Sequence, residues 1–262
     1  MREKTGRNGK KIILFRNLMY CLVLFVCVLC LPCHVQAAGK KGWQEKKGYR
    51  YYYNTKGEKA SGLTVIDSKT YYFNKKGVMQ TGWQKLKGEY CYFDREKGNQ
   101  KKNCKIDGIK IKKDGTVKKT KYNKQKIDTM ITARKLVSQI TKATDSKKTK
   151  MEKCFRWVFQ FPYKRYRFLD SIYKEKGWEM TFANDIFKKK QGDCVSGAAA
   201  VAFLFHECGC KTVYICHDTE HAWVEYNGGV YDPLFARVKD FNKYYNGSYK
   251  NVGLWVTDKR KI

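Results

Sequence analysis

The spacing of apolar residues changes several times along the chain. Between residues 42 and 118, short aromatic runs recur about every twenty positions and are separated by polar turns that contain Gly. From residue 122, apolar residues follow helical spacing, and after residue 212 they form short strand-like runs. An unbroken apolar run, Leu18–Leu31, precedes all of these. The pattern predicts hairpins first, then helices, and strands last.

The region with a period of about twenty predicts stacked β-hairpins. Its units begin at Gly42, Gly62 and Gly82, and residues 104–118 form a degenerate fourth copy. One register holds Trp43, Leu63 and Trp83, and another holds the triplets Tyr51-Tyr52-Tyr53, Tyr71-Tyr72-Phe73 and Cys91-Tyr92-Phe93. A lone hairpin cannot bury its aromatic face, so units of this kind stack into a solenoid.

The recurring Gly-Trp and Tyr-Tyr-Phe elements resemble the cell-wall-binding repeats of Gram-positive surface proteins, of the choline- and glucan-binding type. The resemblance implies that aromatic side chains bind a wall polymer (choline, teichoic acid or glucan) by cation–π contact or ring stacking. The candidate ligand-binding residues are Trp43, Tyr52, Tyr72, Trp83 and Tyr92. Alternatively, these rings only fill the spine of the solenoid, and Leu63 breaks the pattern in the middle unit.

Residues 122–262 predict an α+β domain. Helical spacing in KIDTMITARKLVSQITKAT directs Ile127, Met130, Ile131, Ala133, Leu136, Val137 and Ile140 inward. A second helix, ended by Pro162, directs Cys154, Phe155, Val158 and Phe159 inward. Because the predicted helices precede the strands KTVYIC, HAWVEY and GVYDPL, the order favours an α+β arrangement.

The segment QGDCVSGAAAVAFLFHECG predicts a buried helix that begins at Cys194. A thiol at a helix amino terminus lies at the positive end of the helix dipole and beside unpaired N–H groups. Both effects favour the thiolate, which is the nucleophilic form. The backbone N–H of Cys194 is also a candidate oxyanion donor. Gln160 and Tyr163 are candidates for a second, side-chain donor.

Two later residues complete a candidate catalytic set. His221 precedes a strand, and Asp232 precedes a Pro after an Asn-Gly-Gly turn. Gly-x-Cys, His-Ala-Trp-x-Glu and Asp-Pro in this order resemble the transglutaminase-like superfamily, which is papain-like in architecture. The resemblance implies a Cys194–His221–Asp232 triad and acyl transfer on a protein or peptide substrate, without a cofactor. Hydrolysis of a peptide or amide bond is the expected outcome.

Other interpretations remain open from the sequence. The domain could be an inactive adhesin or scaffold, or an amine-accepting transamidase that cross-links proteins. The Asp-Cys pair also resembles NlpC-like wall endopeptidases, although His-Ala-Trp with Asp-Pro fits the transglutaminase-like pattern better. A zinc site would use Cys208, Cys210, Cys216, His217 and His221, but Cys-x-Cys is closer than the usual ligand spacing. His217 is interpreted as structural or exposed and His206 as a satisfied core residue.

The amino-terminal segment predicts secretion. Basic residues precede the apolar run, and Val35-Gln36-Ala37 follows it, as in a signal peptide cleaved near residue 37. No membrane span is then expected, because the apolar run is shorter than the ~20 residues that cross a bilayer. The predicted organisation is a signal peptide (1–37), repeats (38–121) and a transglutaminase-like domain (122–262).

Charge and cysteine content limit the partners and the redox chemistry. The formal net charge is +31, spread along most of the chain. In a secreted protein this favours anionic wall polymers over nucleic acid. Seven of the eleven Cys lie beyond the predicted signal, an odd number that leaves at least one unpaired. The sequence does not choose among the disulfide pairings.

Overall fold

The structure is a computed structural model that describes residues 41–170 and 173–262, which belong to one compact unit. The predicted signal peptide, 1–37, lies outside the described residues. No helix among the described residues is both long enough and apolar enough to cross a bilayer.

The amino-terminal part consists of four antiparallel hairpins in succession. Their strands are β1 Gly42–Lys46, β2 Tyr49–Tyr53, β3 Gly62–Ile66, β4 Lys69–Phe73, β5 Met79–Gln80, β6 Gly82–Leu86, β7 Glu89–Phe93, β8 Cys104–Ile106 and β9 Ile109–Ile111. The short strand β5 extends the second hairpin. In the first turn Lys47 and Gly48 have φ of 53° and 74°, the left-handed conformation that tight hairpin turns require. The hairpins and the degenerate fourth copy therefore form as predicted.

Two long helices follow, and their apolar faces agree closely with the prediction. Helix α1 spans Lys121–Ile140, begins after the cap Thr120 and buries Ile127, Met130, Ala133 and Val137. Helix α2 spans Lys147–Phe159 and buries Cys154, Phe155 and Val158, whereas Phe159 is only half-buried.

The remaining elements surround one apolar helix. They are α3 Trp178–Asn184, a π-helical turn Asp185–Lys189, α4 Cys194–Glu207, β10 Val213–His217, β11 Ala222–Tyr226, β12 Gly229–Tyr231, α5 Pro233–Val238, α6 Phe241–Tyr244, β13 Tyr245–Gly247, α7 Tyr249–Val252 and β14 Asp258–Lys261. The antiparallel sheet has the order β13-β12-β11-β10-β14. Helix α4 packs on β10 and β11 and against α1, α2 and α3. A helix enclosed in this way is apolar all round, as its sequence is.

The hydrophobic core crosses the predicted domain boundary. Trp83, Tyr90 and Ile111 belong to the same core cluster as the interior residues of α1 and α4. A second, smaller cluster holds Ile66, Tyr71 and Phe73 of the second hairpin, with Trp43 and Tyr52 of the first packed against it. The change from hairpins to helices near residue 121 is therefore not a boundary between two cores, because the third and fourth hairpins share the core of the α+β region.

Candidate active site

The loop before Cys194 is built to begin a helix at that residue. Asp193 caps α4 with its Oδ1, which accepts the backbone N–H of Ser196 at 2.9 Å. A Cβ at Gly192 would lie 2.5 Å from the Cβ of Ser196, so only glycine fits there. The loop is also tied to the segment after α2, because Gly192 accepts the N–H of Lys164 at 3.0 Å. Cys194 is thereby held as the first residue of the helix, with 4% of its surface exposed.

A thiolate at this position has backbone donors beside it. The first N–H groups of a helix have no acceptor within the helix, and here the cap occupies that of Ser196. The N–H groups of Cys194 and Val195 belong to the same first turn. The positive end of the dipole of the 14-residue helix lies at the same place. The position therefore suits a nucleophilic sulfur and the oxyanion that its attack would create.

A tight turn before β11 positions His221. Oδ1 of Asp218 accepts the backbone N–H groups of Glu220, at 2.8 Å, and of His221, at 2.6 Å. The carbonyl oxygen of His221 accepts the N–H of Asp218, which closes the turn. The carbonyl oxygen of Glu220 lies 4.0 Å from Sγ of Cys194. This turn brings the strand that carries the imidazole to the amino-terminal end of α4.

Asp232 holds the imidazole from the other side. Its Oδ2 lies 2.5 Å from Nε2 of His221, and its Oδ1 accepts the N–H of Phe235 at 2.9 Å as the cap of α5. The carboxylate is fully buried, and each oxygen has a partner. The ring of Phe235 stacks on His221 with centroids 4.1 Å apart and planes inclined by 15°. Because Nε2 faces the carboxylate, Nδ1 is the nitrogen left for the thiol.

The electrostatic environment favours the imidazolium form of His221. Burial alone lowers the pKa of His221, but hydrogen bonds to Asp232 and Cys194 and the charges of both groups together raise it to about 9. At neutral pH the ring therefore carries its proton beside the sulfur. The structure thus places His221 against Asp232, and Cys194 and His221 line the same surface cleft.

Cys194 lies between two depressions of the surface. One is a small apolar pocket lined by Phe161, Tyr163, Ile186, Pro233 and Leu234 among others. The other is a cleft of about 440 Å³ whose wall includes Arg165, Leu169, Asp170, Asp218 and Glu220. A substrate chain could therefore approach the sulfur with one part on each side.

The two predicted side-chain oxyanion donors differ in position. Gln160 is exposed, donates to the carbonyl of Trp157 at 2.9 Å and lines neither depression. Tyr163 lines the small pocket together with Cys194, and its backbone bridges Gly192. Burial and the nearby Cys194 charge raise the pKa of Tyr163, and its oxygen accepts from Arg165 at 2.9 Å. Of the two candidates, only Tyr163 therefore lies beside the pocket that Cys194 lines.

The sequence did not identify the supporting residues of the site. Phe235 follows Asp232 by three positions, and Asp218 precedes His221 by three. Neither separation carries a chemical motif, although an Asp three residues before another turn residue is typical of a capped turn. Stacking by Phe235 depends on where α5 lies against β11, which no local pattern encodes.

The residues that a zinc site would use contact different partners and do not face one another. Sγ of Cys208 lies 3.8 Å from that of Cys154, Cys210 contacts the sulfur of Met151, and Cys216 contacts Glu225. His217 is buried at the end of β10, with Nε2 3.8 Å from the Asp258 carboxylate. Among residues 41–170 and 173–262, no three such side chains converge.

His206 lies at the opposite end of α4 from Cys194, in a polar junction with the hairpins. Its Nε2 lies 3.1 Å from Oδ1 of Asp107, and its Nδ1 lies 3.3 Å from Glu207. Burial lowers the pKa of His206, but these two carboxylates raise it to about 9. Arg95 donates to Glu207 at 2.8 Å. His206 is a satisfied core residue, as predicted.

The five aromatic residues predicted to bind a ligand fall into two environments. Trp43, Tyr52 and Tyr72 are half-buried, and the Trp43 ring lies 5.3 Å from that of Tyr52 and 4.9 Å from that of Tyr71. Trp83 and Tyr92 are 2% and 7% exposed and belong to the main core. The structure therefore leaves only the first group accessible to a ligand, and Trp83 and Tyr92 pack in the core instead.

An internal cation already covers the half-buried ring of Trp43. The guanidinium of Arg50 lies 4.9 Å from the centroid of Trp43, and its Nη1 donates to the carbonyl of Glu96 at 2.9 Å. A cationic ligand at Trp43 would have to displace this group or bind beside it.

Comparison with known proteins identifies the repeats. The model of the choline-binding repeat matches residues 60–104. Among solved structures, the choline-binding domain of Spr1274 from Streptococcus pneumoniae is 30% identical, with 32% of this chain and 100% of that one covered and a TM-score of 0.29. Choline-binding protein F from Streptococcus pneumoniae, with a peptidoglycan analogue, is 26% identical over 30% of this chain and 27% of that one (TM-score 0.29).

The modular Cpl-1 endolysin, complexed with a peptidoglycan analogue, is 28% identical over 24% of this chain and 19% of that one, with a TM-score of 0.23. This chain thus spans about a quarter or less of the two larger proteins. At these TM-scores the structural likeness carries no weight, and the repeat assignment rests on the family model. A search of curated proteins finds no match.

Proposed function

We propose that this protein is a secreted, wall-associated cysteine enzyme that transfers acyl groups through Cys194, His221 and Asp232 and hydrolyses a peptide or amide bond. The observation that supports the proposal is the buried Asp232 carboxylate 2.5 Å from Nε2 of His221, with Cys194 at a helix amino terminus and lining the same cleft as His221. The fold class proposed with it is transglutaminase-like.

The proposed reaction begins with the thiolate of Cys194 attacking the acyl carbon. The resulting oxyanion accepts the N–H of Cys194 and the hydroxyl of Tyr163. The His221 imidazolium then donates its proton to the amide nitrogen, the C–N bond breaks, and the amine leaves as the thioester forms. Water loses a proton to His221 while its oxygen bonds to the acyl carbon. Collapse of this second intermediate breaks the C–S bond and releases the acid.

The side chains around the triad support these roles. One oxygen of the Asp232 carboxylate faces His221, and the other accepts the N–H of Phe235 as a helix cap. In this role it keeps Nε2 of His221 protonated and leaves Nδ1 for the sulfur. Phe235 covers one face of the ring and excludes water from it. The acidic wall formed by Asp170, Asp218 and Glu220 favours a substrate or acceptor that carries a cationic amine. Because this wall would also attract an amine acceptor, transamidation is the second candidate function.

Association with the wall rests on the hairpins. Residues 60–104 match choline-binding repeats, and the half-buried rings of Trp43 and Tyr52 lie with their centroids 5.3 Å apart, packed on the buried ring of Tyr71. Such a grouping suits a quaternary ammonium ligand. We place the choline-type site there, with the third hairpin serving as packing.

Alkylation kinetics of Cys194 test the assembled pair. The rate of iodoacetamide labelling is followed against pH by peptide mass mapping in the wild type and in His221→Gln. We expect fast labelling at pH 6 in the wild type and a rate that falls to that of an ordinary thiol in the variant. Cys104, which is half-buried and far along the chain, serves as the internal reference thiol. Equal slow rates at both cysteines in the wild type would leave an inactive scaffold as the better description.

Asp232→Asn tests the positioning role with its helix cap retained. The amide oxygen can still accept from Phe235, whereas its NH₂ group cannot accept from His221. Asp240→Asn is the matched control, because Asp240 caps α6 in the same way through Lys243 at 2.8 Å. We expect the turnover of wall peptides to fall about 10²-fold or more in Asp232→Asn only. The alkaline limb of its pH–rate profile, expected near pH 9 from the pKa of His221, should move to lower pH because the carboxylate no longer stabilises the imidazolium. Added alkylamines distinguish the outcomes, since transamidation would incorporate them into product.

A further inference from the structure

A second large cleft lies between the hairpins and the helices, and it is strongly basic. Its volume is about 840 Å³, and residues of the first three hairpins, of α1 and of the start of α2 line it. Six of its lining side chains are cationic, and one, Glu96, is acidic: the cations are Arg50, Lys76, Arg95, Arg134, Lys135 and Lys150. No residue of the proposed triad lines it, and neither do the half-buried rings Trp43, Tyr52 and Tyr72.

The protein neutralises the charge of this cleft only in part. Glu207 compensates only Arg95 and Arg134, with which it lies at 2.8 and 3.7 Å. Lys150 donates to the carbonyl of Ala143, which carries no net charge. Within the part of the chain that the structure describes, Lys76 and Lys135 form no ion pair. Several cations from different elements thus converge on one concave surface.

The other lining groups suit an extended, hydroxyl-bearing anion. Asn74, Gln80, Gln84 and Ser138 add neutral hydrogen-bonding groups, and Tyr49 and Tyr51 add ring surface. A cation such as choline would be repelled there, so this is a different binding surface from the aromatic one. A chain with repeated phosphate charges would be attracted by all the lysines at once.

We propose that this cleft binds an anionic polyol-phosphate polymer of the cell wall through its phosphodiester groups. This deepens the proposed wall association, because the polymer would contact the hairpins and α1 together. Each lysine that pairs with a phosphate releases a condensed counterion, so binding weakens steeply as salt rises.

The test uses the full mature chain and two matched triple variants. Lys76→Gln/Lys135→Gln/Lys150→Gln removes three charges from the cleft and keeps hydrogen-bonding side chains. Lys105→Gln/Lys110→Gln/Lys113→Gln removes three charges from exposed positions on the fourth hairpin. Affinity for synthetic poly(glycerol phosphate) is measured between 50 and 200 mM NaCl, with excess choline present to saturate the aromatic site. We expect a loss of about 10- to 100-fold, and a shallower salt dependence, in the cleft variant only.

Two further probes separate the possible sources of negative charge. Poly-glutamate of matched charge should bind more weakly than the polyol phosphate, and so should an oligothymidylate. Equal or tighter binding of either would overturn the assignment to a wall phosphodiester. Equal losses in both triple variants would also overturn it, because they would show diffuse surface charge. Binding of the soluble polymer is measured without any catalysis, whereas the alkylation experiment reports only on Cys194. A failure of this proposal can therefore be told apart from a failure of the proposed enzymatic function.

Discussion

The first and third hairpins carry the same motif in two different environments. Trp43 pairs with Tyr52 and Trp83 with Tyr92 in the same register, and their ring centroids are 5.3 and 5.1 Å apart. Yet Trp43 is half-exposed beneath Arg50, whereas Trp83 is 2% exposed and its indole N–H donates to Asp107 at 2.8 Å. The repeat motif therefore determines that each Trp contacts its Tyr across the hairpin. Whether that pair is buried or exposed depends on which other elements pack against it.

Neighbouring elements explain the difference. The third hairpin contacts α1, and Asp107 in the fourth hairpin also bonds to His206 at the end of α4. No described element covers the outer rings of the first hairpin in that way. One repeat is therefore part of the main core, while an earlier copy leaves its Trp–Tyr pair half-exposed.

The largest contrast is expected between Trp83→Ala and Trp43→Ala. The first removes a buried indole and leaves Oδ2 of Asp107 without its donor, so we expect a loss of about 3–5 kcal/mol in the free energy of unfolding. The second should cost under about 1 kcal/mol and abolish choline binding. Urea titration and choline titration of both variants measure this. Equal destabilisation of the two would refute the division of roles.

A disulfide between Cys154 and Cys208 should strengthen the core that holds the third hairpin. Their sulfurs lie 3.8 Å apart, and no other two thiols among the described residues come within hydrogen-bonding distance. Refolding with glutathione disulfide should oxidise this pair: the Cys154–Cys208 bond forms as the S–S bond of glutathione disulfide breaks, and the two electrons and two protons yield two molecules of glutathione. The cross-link should stabilise the fold by about 2–4 kcal/mol over the reduced protein. Peptide mapping and urea titration test it, with Cys154→Ala as the control.

Protonation of His206 should make the junction pH-dependent. The pKa of His206 is about 9 in the folded protein, above its ordinary value of 6.5. Its stabilising contribution is therefore complete below about pH 6.5 and is lost as pH rises through 9. We expect the free energy of unfolding to fall by about 1–3 kcal/mol over that interval and the fall to be smaller in His206→Gln. His221 contributes in the same direction, so His221→Gln is measured in parallel. A flat profile in the wild type would contradict the charged junction.

The smallest effect is expected from Leu63→Trp, which restores the motif in the second hairpin. Leu63 is 58% exposed opposite Tyr72, so an indole fits without disturbing the core. The change in stability should stay within about 0.5 kcal/mol. Choline titration should show one additional weak site, and an unchanged stoichiometry would mean that the neighbouring rings of the second hairpin do not form a cage.

Local patterns predicted much of the fold but not its packing. Helical spacing located α1 and α2 and most of their buried residues, and the Asp-Cys pair located the start of α4. The same spacing predicted that Phe159 is buried, but it is only half-buried. Helical periodicity gives the direction a residue faces and not how far neighbouring elements extend over that face of the helix. Gln160 and Tyr163 were equal candidates from the sequence, and what distinguishes them is that Tyr163 bridges Gly192 and lines the small pocket with Cys194.

By itself, the sequence determined the hairpin register, the order of elements and the residue types of the candidate triad, because each depends on short-range geometry or on motifs within a few residues. Tertiary structure decided that the third hairpin is core and the first is surface, that Cys154 faces Cys208, and that His221 lies against Asp232 and lines the same cleft as Cys194. Those facts depend on which elements pack together across tens of residues. Such long-range packing follows from burial of the whole apolar surface and is not encoded in any single segment.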